Sequence, residues 1–332
     1  MKQFSKSKEF WILMMLIILS ILISTRSSAF LRPDNIIDLL RNNAVLGISA
    51  LGMTLVIITG GIDVSVGAVI AVITVITGKF MVTFGGNIIL TFLVATASGL
   101  IIGGITGALV GFARIPAIVV TLGTMSIING FMLYYTNGTW INDIPKWFID
   151  FGKITLFKFG GQNQVSIGVP IQIIIFLIMA ILTWALLKYT LIGRSVYAIG
   201  SNPISARRIG INLERTLTFV YAYMGLIAGI AAVTHTSIMR QVDPNAFFGF
   251  ELQVIAAVVI GGASITGGNG SIFGTILGVL FLSVLNNGLI LTHIPTFWQK
   301  IIMGAIIVFT VSIDVIQRKR IERSLPKVDV ED

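Results

Sequence analysis

The sequence predicts an all-α polytopic membrane protein of about ten transmembrane helices, with two short broken or re-entrant segments and both termini cytoplasmic. Three observations lead there. Of 332 residues, 55% are hydrophobic and only 11% charged, against about 25% charged in a soluble domain. Apolar runs recur from end to end, which excludes a soluble domain held by one anchor. Two of those runs are interrupted by polar, glycine-rich stretches, LVIITGGIDVSVGAVIAVITVI at 55–76 and VIGGASITGGNGSIFG at 259–274. Non-helical backbone at membrane depth persists only where it is buried in protein or lines a cavity. Paired interruptions in two halves of one chain point toward a transport path.

A span needs about 20 apolar residues. The candidates are 10–25, 44–60, 64–82, 88–112, 116–135, 168–188, 216–238, 251–262, 272–291 and 298–316. The first follows Lys2, Lys6 and Lys8, lacks a clean small-x-small cleavage site and precedes Arg26 and Arg32; it reads as an uncleaved span. Residues 26–43 mix Arg26, Arg32 and Arg41 with Asp34 and Asp38, as an amphipathic surface helix would. The eighth candidate is short, as in a discontinuous helix. Lysine and arginine favour the cytoplasmic side. They cluster in both tails, with Arg318, Lys319, Arg320, Arg323 and Lys327 at the C-terminus, and in the loop 189–215 through Arg194, Arg207, Arg208 and Arg215. Counting spans puts that loop inside, so parity and charge agree. The loop 136–167, nearly balanced in charge and carrying Trp140 and Trp147, falls outside. Polar stretches of this length are too short for an independent fold, so 1–332 reads as one transmembrane domain.

Composition also excludes chemistry. The formal charge of +9 fits cytoplasmic orientation signals; no basic patch interleaved with aromatics suggests nucleic acid. Cysteine is absent, and His235 and His293 stand far apart, so no metal site is expected. Lys79 and Lys153 follow glycines, but Phe80 and Ile154 stand where a P-loop needs Ser or Thr. No catalytic residue and no cofactor is expected.

Within the first break, Asp63 and Ser65 lie among Gly60, Gly61 and Gly67. A carboxylate at membrane depth costs roughly 2.5–3.5 kcal/mol or more. Two roles are open to Asp63: lining a path, or capping a helix that begins near Val64. Setting Gly60-Gly61 against Gly261-Gly262 places Ser65 opposite Thr266. Gly99, Gly103, Gly107 and Gly111 recur every fourth residue, on one helix face that admits a close neighbour. Gly270, Gly274 and Gly278 repeat the pattern.

The loop YTLIGRSVYAIGSNPISARRIGINLERT at 189–216 holds a candidate short helix. Asn202 caps it, Pro203 suits its first turn and Gly210 stops it. Ile204 and Ile209 beside Arg207 and Arg208 would make a docking peg.

At this point a family is recognisable. GMTLVIITGGIDVSVGAVI at 52–70, GRSVYAIGSNPISARRIGI at 193–211, and DPNAFFGFELQVIAAVVIGGASITGGNGSIFGTILG at 243–278 with Asn286-Asn287-Gly288 resemble permease subunits of bacterial ATP-binding-cassette importers for monosaccharides, the ribose-type family. NGTWINDIP at 137–145 and HIPTFWQKIIMG at 293–304 resemble its autoinducer-2 branch. The resemblance implies a permease domain in the cytoplasmic membrane, working with cytoplasmic ATP-binding subunits, an extracytoplasmic sugar-binding protein and a second permease copy or paralogue. It implies a coupling helix at 202–210, with Asn202, Ala206, Arg207, Arg208 and Gly210. The family's E-A-A-x3-G pattern there is incomplete, since Ile204 and Ser205 replace its Glu and first Ala. Arg207 and Arg208 are then the candidate polar contacts to the ATPase. Asp63, Ser65, Asn286 and Asn287 are the candidate substrate path. A permease for branched-chain amino acids and a stand-alone secondary transporter are the alternatives.

Overall fold

The computed structural model describes residues 8–159 and 167–324. Lys2, Lys6 and Lys327 lie outside the described residues, as do the side chains of Arg318, Lys319, Arg320 and Arg323, so the terminal charge clusters have no structural account. The first half of the chain carries α1 (Lys8–Arg26), α2 (Pro33–Asn42), α3 (Ala44–Ile58), α4 (Val66–Phe84), α5 (Ile88–Gly111) and α6 (Ala117–Thr136). The connection that follows holds α7 (Lys146–Gly152), β1 (Thr155–Phe159) and β2 (Ile167–Pro170). The second half carries α8 (Ile171–Tyr189), α9 (Leu191–Ser201), α10 (Pro203–Arg208), α11 (Leu213–Met239), α12 (Phe250–Ile260), α13 (Ile272–Leu291) and α14 (Thr296–Ser324).

All ten predicted spans fall on helices. Among the described residues, seven helices are long and apolar enough to cross a membrane, and α2 with α3, bent by 45°, makes an eighth. The short eighth segment is α12, an apolar helix of 11 residues. The tenth lies in α14. The amphipathic helix expected within 26–43 is α2, which starts on Pro33 and buries Leu39. The hairpin of antiparallel β1 and β2 was not foreseen.

The core forms around α3, every residue of which is buried. With no water in the bilayer to drive association, helices meet through close backbones and hydroxyl hydrogen bonds. Both devices are present. On α5, the buried face is Thr91, Ala95, Gly99, Gly103, Thr106, Gly107 and Gly111, and α11 runs antiparallel across it. A Cβ on Gly99 would fall on the Gly225 carbonyl, one on Gly103 on the Tyr221 carbonyl, and one on Gly111 on the Glu214 carbonyl. The same interlock joins α12 to α13, where Gly261 faces Gly274 and Gly278 faces the Ala257 carbonyl. Gly270 instead meets Ile58 and Ala263. Hydroxyls tie helices elsewhere: Thr54 to Thr275 at 2.7 Å and Thr183 to Tyr223 at 2.6 Å.

Replacing Gly225 with Val should destabilise the fold by about 1–3 kcal/mol or more through overpacking against α5. Gly104, on the same helix as the stripe but with open space around it, should accept Ala with little change. Thermal unfolding of the purified chain in detergent compares the two; equal midpoints would contradict the close α5–α11 contact.

Candidate transport site

Each broken segment begins with a left-handed glycine after a helix end. After α3, the Gly60 N–H donates to the Ile57 carbonyl at 2.9 Å and the Gly61 N–H to that of Val56 at 3.0 Å. After α12, Gly262 and Ala263 make the same two bonds, to Val259 and Val258, at 2.9 and 3.2 Å. Gly60 and Gly262 have φ of 81° and 91°, a conformation glycine adopts without strain. The structural match is therefore Gly60 with Gly262 and Gly61 with Ala263, one residue away from the alignment of the two Gly-Gly pairs. The reason is local: Thr59 separates α3 from its left-handed glycine, whereas Gly261 does so after α12. The second break is also longer, since α4 starts at Val66 and α13 at Ile272, so Ser65 corresponds to Ser271 as N-cap and not to Thr266.

The two breaks touch. The Gly268 N–H donates to the Ile58 carbonyl at 2.9 Å. Gly200, near the end of α9, packs into the same junction: a Cβ there would fall on the Ile58 carbonyl, and one on Gly267 would lie 2.9 Å from both the Gly200 carbonyl and the Gly60 nitrogen. Tyr197, one turn earlier on α9, donates to the Gly270 carbonyl at 2.9 Å.

Asp63 is buried, and one carboxylate oxygen accepts from the Ser65 N–H at 2.8 Å and the Ser65 hydroxyl at 2.6 Å. α4 starts at Val66, two residues beyond the expected position, and the bond from the Ser65 N–H is a cap-like contact that shapes the turn into it. A void of about 10 Å³, the size of one water, lies beside Asp63, Ser65 and Thr106. The buried Tyr221 hydroxyl, which a Cβ on Gly61 would strike, has no hydrogen-bond partner among the described residues.

Asn286 and Asn287 stand elsewhere, at the other end of α11 from α10. Asn286 lines a cavity of about 330 Å³ that also reaches His235, Met239, Phe247 and Gln253. Asn287 borders the same cavity, but its amide exchanges two hydrogen bonds with Asn35 of α2, at 3.1 and 3.0 Å. The four path candidates thus form two separate groups. A second cavity, of about 340 Å³, lies between α4, α6 and the start of α12, with Asn129, Phe248 and Glu251 in its wall. Phe247 borders both cavities. Sequence reasoning did not assign His235, Phe247 or Gln253 to this site; the available signal was one polar residue on each of two apolar segments.

The short helix predicted at 202–210 is α10. The Asn202 side chain accepts from the Ser205 N–H at 2.9 Å. Gly210, with φ of 87°, donates to Arg207, and the Ile211 N–H donates to Ala206. Ala206 is buried. Arg207 donates to Glu214 at 2.7 Å, and Arg114 shares the same carboxylate oxygen at 3.3 Å. Arg207 is therefore engaged within the chain, and Arg208 alone of the pair lacks an ion pair among the described residues.

Stacked spans, two abutting breaks and an outward-turned short helix define a multi-pass membrane transport subunit. Known sequences place it further. A family model described as "Branched-chain amino acid transport system / permease component" matches residues 35–311. The ribose import permease protein RbsC of Escherichia coli (strain K12) is 36% identical over 305 residues, covering 91% of this chain and 92% of that protein. RbsC of Bacillus subtilis (strain 168) is 37% identical over 299 residues, 90% of each. The D-allose transport system permease protein AlsC of Escherichia coli (strain K12) is 32% identical over 302 residues, 90% of this chain and 88% of that one. No solved structure matches. The chain belongs to the permease-component family of ATP-binding-cassette importers.

Ser65→Ala removes the one side-chain donor to the buried Asp63 carboxylate, which should cost about 1.5–3 kcal/mol. Asp63→Asn should cost a similar amount and lower uptake further if the carboxylate also serves the path. Chemical denaturation and uptake, measured on both variants, separate these roles; wild-type stability in both would refute the turn-forming bond.

Proposed function

We propose that this chain is the permease subunit of an ATP-binding-cassette importer that carries a monosaccharide across the bacterial cytoplasmic membrane. The observation that carries the reading is α10. Ile204 and Ile209 are 68% and 74% exposed, on a helix fixed at its start by Asn202, at its end by Gly210 and beneath by Ala206. Exposed apolar side chains beside a free arginine, on a built and rigid element, suit protein docking. The chain has no nucleotide-binding motif, so the partner that fits is a cytoplasmic ATP-binding subunit, with the loop 189–215 inside and the loop 136–167 outside. An extracytoplasmic sugar-binding protein and a second permease copy or paralogue complete the assembly.

The family description names branched-chain amino acids, which keeps that substrate class as the second reading. The relatives that match nine-tenths of the chain are named for ribose and allose, and they support a sugar. The autoinducer-2 branch rests on 137–145 and 293–304, and these relatives do not single it out.

Ile204→Asp with Ile209→Asp should cut copurification of the ATP-binding subunit by about tenfold, the loss expected for one buried hot-spot contact of about 1.4 kcal/mol. Gly210→Val, strained by about 1–3 kcal/mol at its left-handed φ, should act in the same direction. Copurification from gently solubilised membranes, with nucleotide-dependent uptake in parallel, is the check. Unchanged values in both assays would refute α10 as the docking element, and nucleotide-independent uptake by the wild type would favour a secondary transporter.

A further inference from the structure

We propose that the cavity beside Asn286 is a holding site for one neutral monosaccharide, with His235, Gln253 and Asn286 as its hydrogen-bonding wall and Phe247 in its apolar lining. The proposal rests on the sugar-import reading above and names where the sugar sits. At about 330 Å³, the cavity is at the lower end of the roughly 300–1,000 Å³ usual for small-molecule sites. That is room for a single sugar ring and a few waters.

Three apolar helices each turn one half-buried polar side chain into it: His235 from α11, Gln253 from α12 and Asn286 from α13. Asp38 and Asn42 of α2 stand exposed at the rim. Among the described residues, the side chains of Asp38, Asn42, Gln253 and Asn286 make no hydrogen bond within the chain. Their neighbours are committed: Asn43 donates to the Leu39 carbonyl and Asn287 pairs with Asn35. Half-buried polar groups without partners are costly in an apolar wall, and here they converge on one space. An amide presents a donor and an acceptor side by side, which suits adjacent hydroxyls.

The apolar face is fixed as well. The Phe247 ring is buried, 4.5 Å from His235 and 5.2 Å from Phe250 between ring centres. Held in this way, the ring fixes the shape of the apolar side of the cavity. Charge narrows the ligand further. No lysine or arginine lines the cavity, and the acid at its rim is Asp38. A sugar phosphate, a sugar acid or an amino-acid carboxylate would find no cation there, whereas a neutral polyol needs none. The adjoining cavity, walled by Met125, Met132 and Leu133, offers fewer such partners.

The chain contains no cysteine, so Met239→Cys places a single thiol in the cavity wall without removing a hydrogen-bonding group. In the complete complex in proteoliposomes, saturating D-ribose or D-allose should slow alkylation of that thiol by about threefold or more, as expected above about two-thirds occupancy of a site. D-gluconate should not slow it, nor should either sugar slow alkylation of Thr139→Cys, outside the cavity. Gln253→Ala should raise KM for uptake by about fivefold with the ATP-binding subunit still copurifying, and Phe247→Leu should do the same if Gln253→Ala assembles poorly. Retained ATP-dependent uptake with no protection by either sugar, and KM within about twofold of wild type in the assembled variants, would overturn the site and leave the import reading standing. Equal protection by D-gluconate would overturn the neutral-ligand assignment. Absence of ATP-dependent uptake by the wild type, together with absence of protection in the reporter variant, would overturn site and reading together.

Discussion

Backbone groups inside a bilayer must find partners within the protein, and the architecture is organised around meeting that requirement at two places where helices stop early. Each break on its own leaves carbonyls and amides open. Placed against one another, they meet part of that need: the Gly268 N–H donates to the Ile58 carbonyl, while within the second loop the Ser264 N–H donates to the Asn269 carbonyl. α9 packs against that junction, in which Gly60, Thr266 and Asn269 stay exposed. α3 itself is buried on all sides, and its last carbonyls reach the junction.

Legibility in the sequence followed the range of the interaction. The bounds of α10 were readable because Asn202, Pro203 and Gly210 act within a few residues of themselves. The Gly99 stripe was readable as a helical period, but its partner was not, because nothing in the spacing specifies that α11 lies across it. The one-residue error between the breaks has the same origin. Two Gly-Gly pairs look alike as letters, yet which glycine turns left-handed depends on where the preceding helix stops. Asn287 looked like a path residue and is held by Asn35, more than two hundred positions away. The cavity needed residues from α2, α11, α12 and α13, and no local pattern joins those. The pairing of β1 with β2 went unread because the strands are only five and four residues long, too short for an alternating pattern to stand out.

Glu214 illustrates how a polar group at a helix start organises its surroundings. It opens α11, receives Arg207 from α10 and Arg114 from the turn after α5, and its own carbonyl meets the face of Gly111. An exposed ion pair contributes little to stability. Its value here is geometric, because one carboxylate fixes three chain segments at the end of the bundle where α10 emerges. From there α11 extends 27 residues, about 40 Å at 1.5 Å per residue, to Met239 at the wall of the cavity.

The junction at Gly200 has a mechanical meaning. Ordinary helix contacts are cushioned by side chains, whose rotamers absorb small displacements before the backbone feels them. At Gly200 the neighbours are the Ile58 carbonyl and the Gly268 amide themselves, and no side chain stands between. Such a joint is stiff. A displacement of α9 at this point meets the backbone of both interrupted segments directly.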